Sequence, residues 1–227
     1  MKKLFGWIEN FWYHYKWITV IVVAFVAIIA FCLFNRGDGV NDDIQIIYAG
    51  PEILTDVEIE RMERAFSDVM GKDYNEDGKN SVNIVDITVL SEQQLEEAGE
   101  EAKKDGESIV YDPTMRTQAV TQVKNLMSTG AVIICLLDPY VYELCQEGTF
   151  EKLENVLSTV PEVAKDPYAI PFEQTDLAKS FDAFSVFDSE LLLCIRTNAV
   201  IGTDSKQFQK EYAWHKTYFK DLAEFSV

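Results

Sequence analysis

From Ala131 to Pro139 the chain reads AVIICLLDP. Seven apolar side chains in succession leave no polar face for water, so Ala131 to Leu137 predicts a strand covered on both sides, the habit of parallel sheets, at the sheet centre. Asp138 can cap a helix that Pro139 opens, carrying Tyr140, Val141, Leu144 and Cys145 to a stop at Gly148. Upstream, Met115, Ala119, Val123 and Leu126 trace a helix face that ends at Gly130. Further back, IQIIYA (Ile44 to Ala49) runs into Gly50-Pro51, a buried strand and a turn. Thr55 with Glu58 forms a capping box, Leu54 with Ile59 a hydrophobic staple, and Ile59, Met62, Phe66 and Val69 repeat at helical spacing up to Gly71. Val82 to Leu90 (VNIVDITVL) reads as the next strand, and Ser91 with Gln94 repeats the box. Alternation of this kind predicts an α/β fold with a mainly parallel sheet flanked by helices.

Toward the C-terminus, Ala183 to Phe187 and Leu191 to Arg196 read as a strand pair. A final helix from about Ser205 to Phe225 lines up Phe208, Tyr212, His215, Phe219 and Leu222. His215 falls on that packing stripe, and no serine or cysteine motif accompanies it, so it reads as a core histidine.

The chain has 227 residues, 48% of them hydrophobic, and 38 acidic against 20 basic side chains, a formal charge of −18. That composition excludes disorder throughout and a basic nucleic-acid surface. Charge is unevenly spread: the first 34 residues carry Lys2, Lys3 and Lys16 against Glu9, so the remainder is −20. An acidic body repels phosphate and anionic lipid headgroups, which favours cations, cationic partners or neutral solutes as ligands.

Trp17 to Phe34 (WITVIVVAFVAIIAFCLF) is eighteen residues without a charge. As a helix it covers roughly 27 Å, close to one bilayer core. Lysines and the aromatic residues Trp7, Trp12, Tyr13, Tyr15 and Trp17 gather at its inner end, which puts the N-terminus in the cytoplasm. A cleaved signal peptide would show a small-x-small pattern before the polar boundary, and a lipoprotein box a small residue where Phe31 precedes Cys32. The expected organisation is a cytoplasmic tail (1–16), a single-pass signal anchor (17–34), a linker (35–43) and an extracytoplasmic α/β domain (44–227).

Beyond Cys32, the cysteines are Cys135, Cys145 and Cys194, an odd count without framework spacing that reads as buried free thiols. Asp73-Tyr74-Asn75-Glu76-Asp77-Gly78-Lys79 places oxygen side chains at first, third and fifth positions and glycine at the sixth. Alternation lets one tight turn aim several oxygens at a hard cation. The stretch resembles the first half of EF-hand and dockerin loops, which implies Asp73, Asn75, Asp77 and the Lys79 carbonyl as calcium ligands. Position twelve, however, is Ile84 instead of glutamate, and Asp86 follows two residues late. The alternative is a turn whose Asp and Asn side chains take backbone amides.

The strand Ala131 to Asp138, its helix and Gly148-Thr149-Phe150-Glu151-Lys152-Leu153, followed by Tyr168-Ala169-Ile170-Pro171-Phe172 and the strand Leu191 to Arg196, resemble type 2 extracellular solute-binding proteins. The resemblance implies a periplasmic-binding-protein-like lobe with its ligand at the crevice outside the carboxyl ends of the strands. That rim would hold Gly50, Pro51, Asp138, Tyr140 and Tyr168. Members commonly close two lobes, whereas 193 exported residues suffice for one lobe plus additions. The expected function is non-enzymatic binding of a small solute or an envelope protein. One alternative is a structural or assembly subunit without a small-molecule ligand. The other is a hydrolase using Asp138 or Glu173, for which no G-x-S-x-G, P-loop or H-E-x-x-H motif is present.

Overall fold

In a computed structural model the described residues are 42–104, 113–145, 148–187, 190–198 and 206–226. The expected tail, anchor and most of the linker fall outside them; among the described residues no helix is long and apolar enough to cross a membrane.

Strand β1 (Ile44–Gly50) is buried at every position except Gln45, and a short turn leads from it into helix α1 (Asp56–Val69). The capping box forms: Glu58 N donates to Thr55 Oγ1 (3.3 Å) and Thr55 N donates to the Glu58 carboxylate (2.8 Å). Both donors belong to the first turn, where no helical carbonyl can reach them. Met62, Ala65 and Phe66 of α1 join Ile44, Ile46 and Tyr48 of β1 in one hydrophobic cluster. Strand β2 (Val82–Thr88) pairs parallel to β1. Its amides at Val82 and Ile84 donate to Ser67 Oγ (3.2 Å) and Glu63 Oε1 (2.9 Å) of α1.

Helices α2 (Glu92–Lys104) and α3 (Pro113–Thr129) follow, then β3 (Ile134–Leu137), α4 (Pro139–Leu144), β4 (Ala169–Pro171), α5 (Asp176–Ser180), β5 (Leu192–Ile195) and α6 (Lys206–Ala223). The sheet order is β2-β1-β3-β5-β4, with AVIICLL at its middle as its composition demands. Opposite faces of the sheet carry different cover. Helices α1 and α6 pack on the face of Ile46 and Leu136, whereas α3 and α4 pack on the face of Ile47 and Cys135. The Tyr218 hydroxyl of α6 donates to the Phe66 carbonyl of α1 at 2.6 Å in the buried layer.

Three expectations are corrected. The sheet is mixed, because β3–β5 and β5–β4 are antiparallel while β1–β2 and β1–β3 are parallel. Asp182–Val186, expected to supply a strand, is a 3-10 helix. Phe184 turns into the core there and meets Phe66 at 4.8 Å and Phe172 at 5.1 Å, contacts that a flat strand at that point would forfeit. Met115, expected on a packing face, is 64% exposed, whereas Val123 is buried.

Candidate functional site

The carboxyl ends of β1 and β3 lie side by side, joined by Asp138 N donating to Ala49 O at 2.9 Å. From there the chain departs in opposite directions. Beyond Gly50 and Pro51 it enters α1 on one face of the sheet, and beyond Asp138 it enters α4, whose Val141 packs on the other. In doubly wound sheets, ligands bind where the chain diverges in this way. Gly50, Pro51, Asp138 and Tyr140 are brought together there.

Tyr168 is not. β4 runs parallel to β3, because each is antiparallel to β5, so the residue before β4 stands at the opposite end of the sheet from Asp138. Its amide is held by Asp166 Oδ1 at 2.8 Å, and the Tyr142 hydroxyl donates to the same carboxylate.

Polar side chains at the rim are tied down. Asp138 Oδ1 accepts from Tyr140 N (2.7 Å) as the cap of α4, and Oδ2 accepts from Gln94 Nε2 (2.9 Å). Gln94 is itself fixed by the second capping box, its carbonyl accepting from Ser91 N at 2.7 Å. Burial raises the Asp138 pKa above the ordinary carboxylate value, and the nearby Glu52 charge adds to it while the two hydrogen bonds oppose. Sequence reasoning missed Tyr48, Glu52 and Asp86. The Tyr48 hydroxyl donates to Glu52 Oε2 (2.9 Å) and accepts from Glu52 N (3.0 Å). Only glycine permits this, since a Cβ at Gly50 would lie 2.7 Å from that hydroxyl. Asp86 stands opposite Tyr48 across β1–β2, and its Oδ1 is buried without a hydrogen-bond partner. Glu52, Asp86 and Asp138 give the rim an acidic character, a signal invisible in sequence because the three come from separate elements.

The Asp73–Lys79 turn winds around its first carboxylate. Asp73 accepts from Glu76 N and from Gly78 N, each at 2.7 Å. Asn75 Oδ1 accepts from Asp77 N and Asp77 Oδ1 from Lys79 N, both at 2.9 Å. Gly78 adopts φ 91° and Glu76 φ 64°, left-handed values of which the first suits glycine. Buried Asp43 holds the turn from behind, accepting from Tyr74 N and Asn75 N at 2.7 Å and from Ser81 N at 3.0 Å. Burial raises the Asp42 pKa, with Asp43 and Asp77 contributing like-charge repulsion. The donor set is all oxygen, as a hard cation needs. Ile84, at the closing position, is a buried strand residue. Among the described residues no group of three or more His, Cys, Asp or Glu side chains is arranged to hold a metal.

Nucleophilic chemistry finds little support in the remaining reactive groups. Cys135, Cys145 and Cys194 are free thiols, and the first and last face each other across β3–β5 in full burial. Burial pushes Cys145 up to about 12 and Cys194 upward as well, so both stay protonated and unreactive. His215 is a core residue: its Nε2 accepts from Gln45 N (3.1 Å), which leaves Nδ1–H to donate to Glu211 O (2.8 Å). Glu173 sits exposed beside α5, just past the carboxyl end of β4 and separated from β3 by β5. Compared with known proteins, the chain matches no family model, no curated protein and no solved structure.

Proposed function

We propose that this chain is a single-pass, membrane-anchored binding protein without catalytic activity. Its extracytoplasmic α/β lobe takes a small solute or an envelope-protein partner at the crevice between β1 and β3. The observation that carries the reading is the divergence of the chain at Gly50–Pro51 and at Asp138 to opposite faces of the sheet. Binding is favoured over hydrolysis because both Asp138 oxygens are occupied by Tyr140 N and Gln94 Nε2. Those bonds commit the carboxylate to capping α4 and holding the first turn of α2. The acidic rim favours cationic or neutral ligands.

A second reading, an assembly subunit that engages partners directly, draws on the exposed Ile53 (82%) and Val57 (56%) beside the same rim. Two experiments test these readings. Protease added to intact cells is expected to digest residues 42–227; recovery of the chain in the cytosol refutes the anchored arrangement. Thermal-shift screening of the full-length chain against amino acids, sugars and polyamines should yield a stabilising solute whose effect weakens in Glu52→Gln. If none stabilises and the chain purifies in a stable complex, the assembly reading replaces the solute-binding one. Alongside either, we propose calcium as a structural cation of the Asp73–Lys79 turn, held by Asp73, Asn75, Asp77 and the Lys79 carbonyl.

A further inference from the structure

Beside α5 and the Asp182–Val186 turn lies a cavity of about 230 Å3. Phe172, Phe184 and Leu191, all buried, form its floor, and Phe181 and Phe187 its walls. Phe172–Phe184 at 5.1 Å and Phe181–Phe184 at 6.1 Å pack edge to face, so the ring positions are set by the core before anything binds. Exposed Glu173 and Asp182 stand at the mouth. Lys179 adds a positive charge to the lining, but its Nζ is turned to Gln174 O (2.7 Å) and lies 4.0 Å from the Asp176 carboxylate, and Ser185 Oγ donates to Asp182 O (2.7 Å). Asp182 is shared with a neighbouring groove lined by Arg61 and Arg64, so the attraction at the mouth rests chiefly on Glu173.

Aromatic faces attract cations through the ring quadrupole. Carboxylates at the mouth repel anions. A primary ammonium entering this cavity surrenders hydrogen bonds to water that phenylalanine rings cannot replace, whereas an alkylated ammonium has few to lose. The volume falls below the roughly 300–1,000 Å3 of drug-sized pockets, which limits the occupant to a small ion. From these observations we propose that the cavity binds a small alkylated ammonium ion, of the size of tetramethylammonium or choline, against the faces of Phe181 and Phe187 with Glu173 as the counter-charge. The lining contains none of the rim residues, although Phe187 packs on the Tyr48 ring at 5.1 Å, so choline binding that survives Glu52→Gln belongs to this cavity and not to the crevice.

Calorimetric titration of the full-length chain in non-ionic detergent decides it, using three probes. Choline carries charge and methyl groups, 3,3-dimethylbutan-1-ol has the same shape without charge, and ethanolamine has the charge without methyls. Choline should bind with the neutral alcohol at least about fivefold weaker, the range of a partly desolvated cation–ring contact. Ethanolamine should be weaker still. Glu173→Gln, an exposed substitution that leaves the fold intact, should weaken choline about threefold and leave the alcohol unchanged. Equal affinity for choline and the alcohol, an unaltered response in Glu173→Gln, or no choline binding up to about 50 mM would each overturn the proposal.

Discussion

Acidification should unlock α6 from β1 through His215. The imidazole is 7% exposed, and burial holds its pKa below the ordinary 6.5. Protonation places a hydrogen on Nε2, the atom that accepts from Gln45 N at 3.1 Å, so the contact becomes donor against donor. The sign follows from proton counting. Between the unfolded value of about 6.5 and the lower folded value, the unfolded chain binds more protons, so stability is complete well above pH 6.5 and falls as pH drops through that window. The limiting slope is about 1.4 kcal/mol per pH unit. Because the unfolded imidazole is already half protonated at pH 6.5, one unit of acidification costs at most about 1 kcal/mol and, at about 2–4 °C per kcal/mol for a domain of this size, lowers Tm by at most roughly 2–4 °C. Buried Asp138, half-buried Asp42 and Asp86, and Asp221 on the outer face of α6 act oppositely: their raised pKa values make folding take up protons on acidification. The measurement is therefore a difference. Tm by circular dichroism from pH 7.5 to 5.5 should fall more steeply for the wild type than for His215→Gln, whose amide oxygen still accepts from Gln45. Parallel curves for the two proteins would refute the reasoning.

Arg196 is fully buried, its guanidinium making one hydrogen bond, Nη1 to Met127 O at 3.2 Å, with Nε and Nη2 lacking partners. Arg196→Met is expected to raise stability by about 1–2 kcal/mol, because a desolvated charge without a carboxylate costs more than it returns; a lower urea midpoint would show that the Phe208 face and the end of α3 compensate it. Asp43→Ala strips three amides of their acceptor and should cost about 3–5 kcal/mol in urea unfolding with an unchanged m-value. Loss of under about 1 kcal/mol would mean water replaces the carboxylate readily. Calcium at about 5 mM should raise Tm saturably, by an amount that falls in Asp73→Asn; an unmoved transition leaves the turn closed by amides alone.

Local chemistry was readable and long-range pairing was not. Thr55–Glu58 and Ser91–Gln94 close their boxes with neighbours three residues away, and Asp138–Pro139 starts a helix by the same short-range logic. His215 was legible because its place on the α6 stripe is a matter of helical spacing. The direction of β4 was not, because it depends on β5 entering between β3 and β4 from twenty residues downstream, and Tyr168 was misplaced with it. Asp182–Val186 has the aromatic content of a strand, but Phe66 and Phe172, distant in sequence, decide its shape. The acidic rim depended on the same kind of information: Glu52, Asp86 and Asp138 come to one end of the sheet only once β1, β2 and β3 are in register.

The grip of α1 on β2 reaches beyond a single molecule. An outer strand with open amides is a template on which a neighbour can zip a strand of its own. Here Glu63 and Ser67 consume two of those donors, at Ile84 and Val82. Crowded copies can jostle flank to flank without fusing into a continuous ribbon.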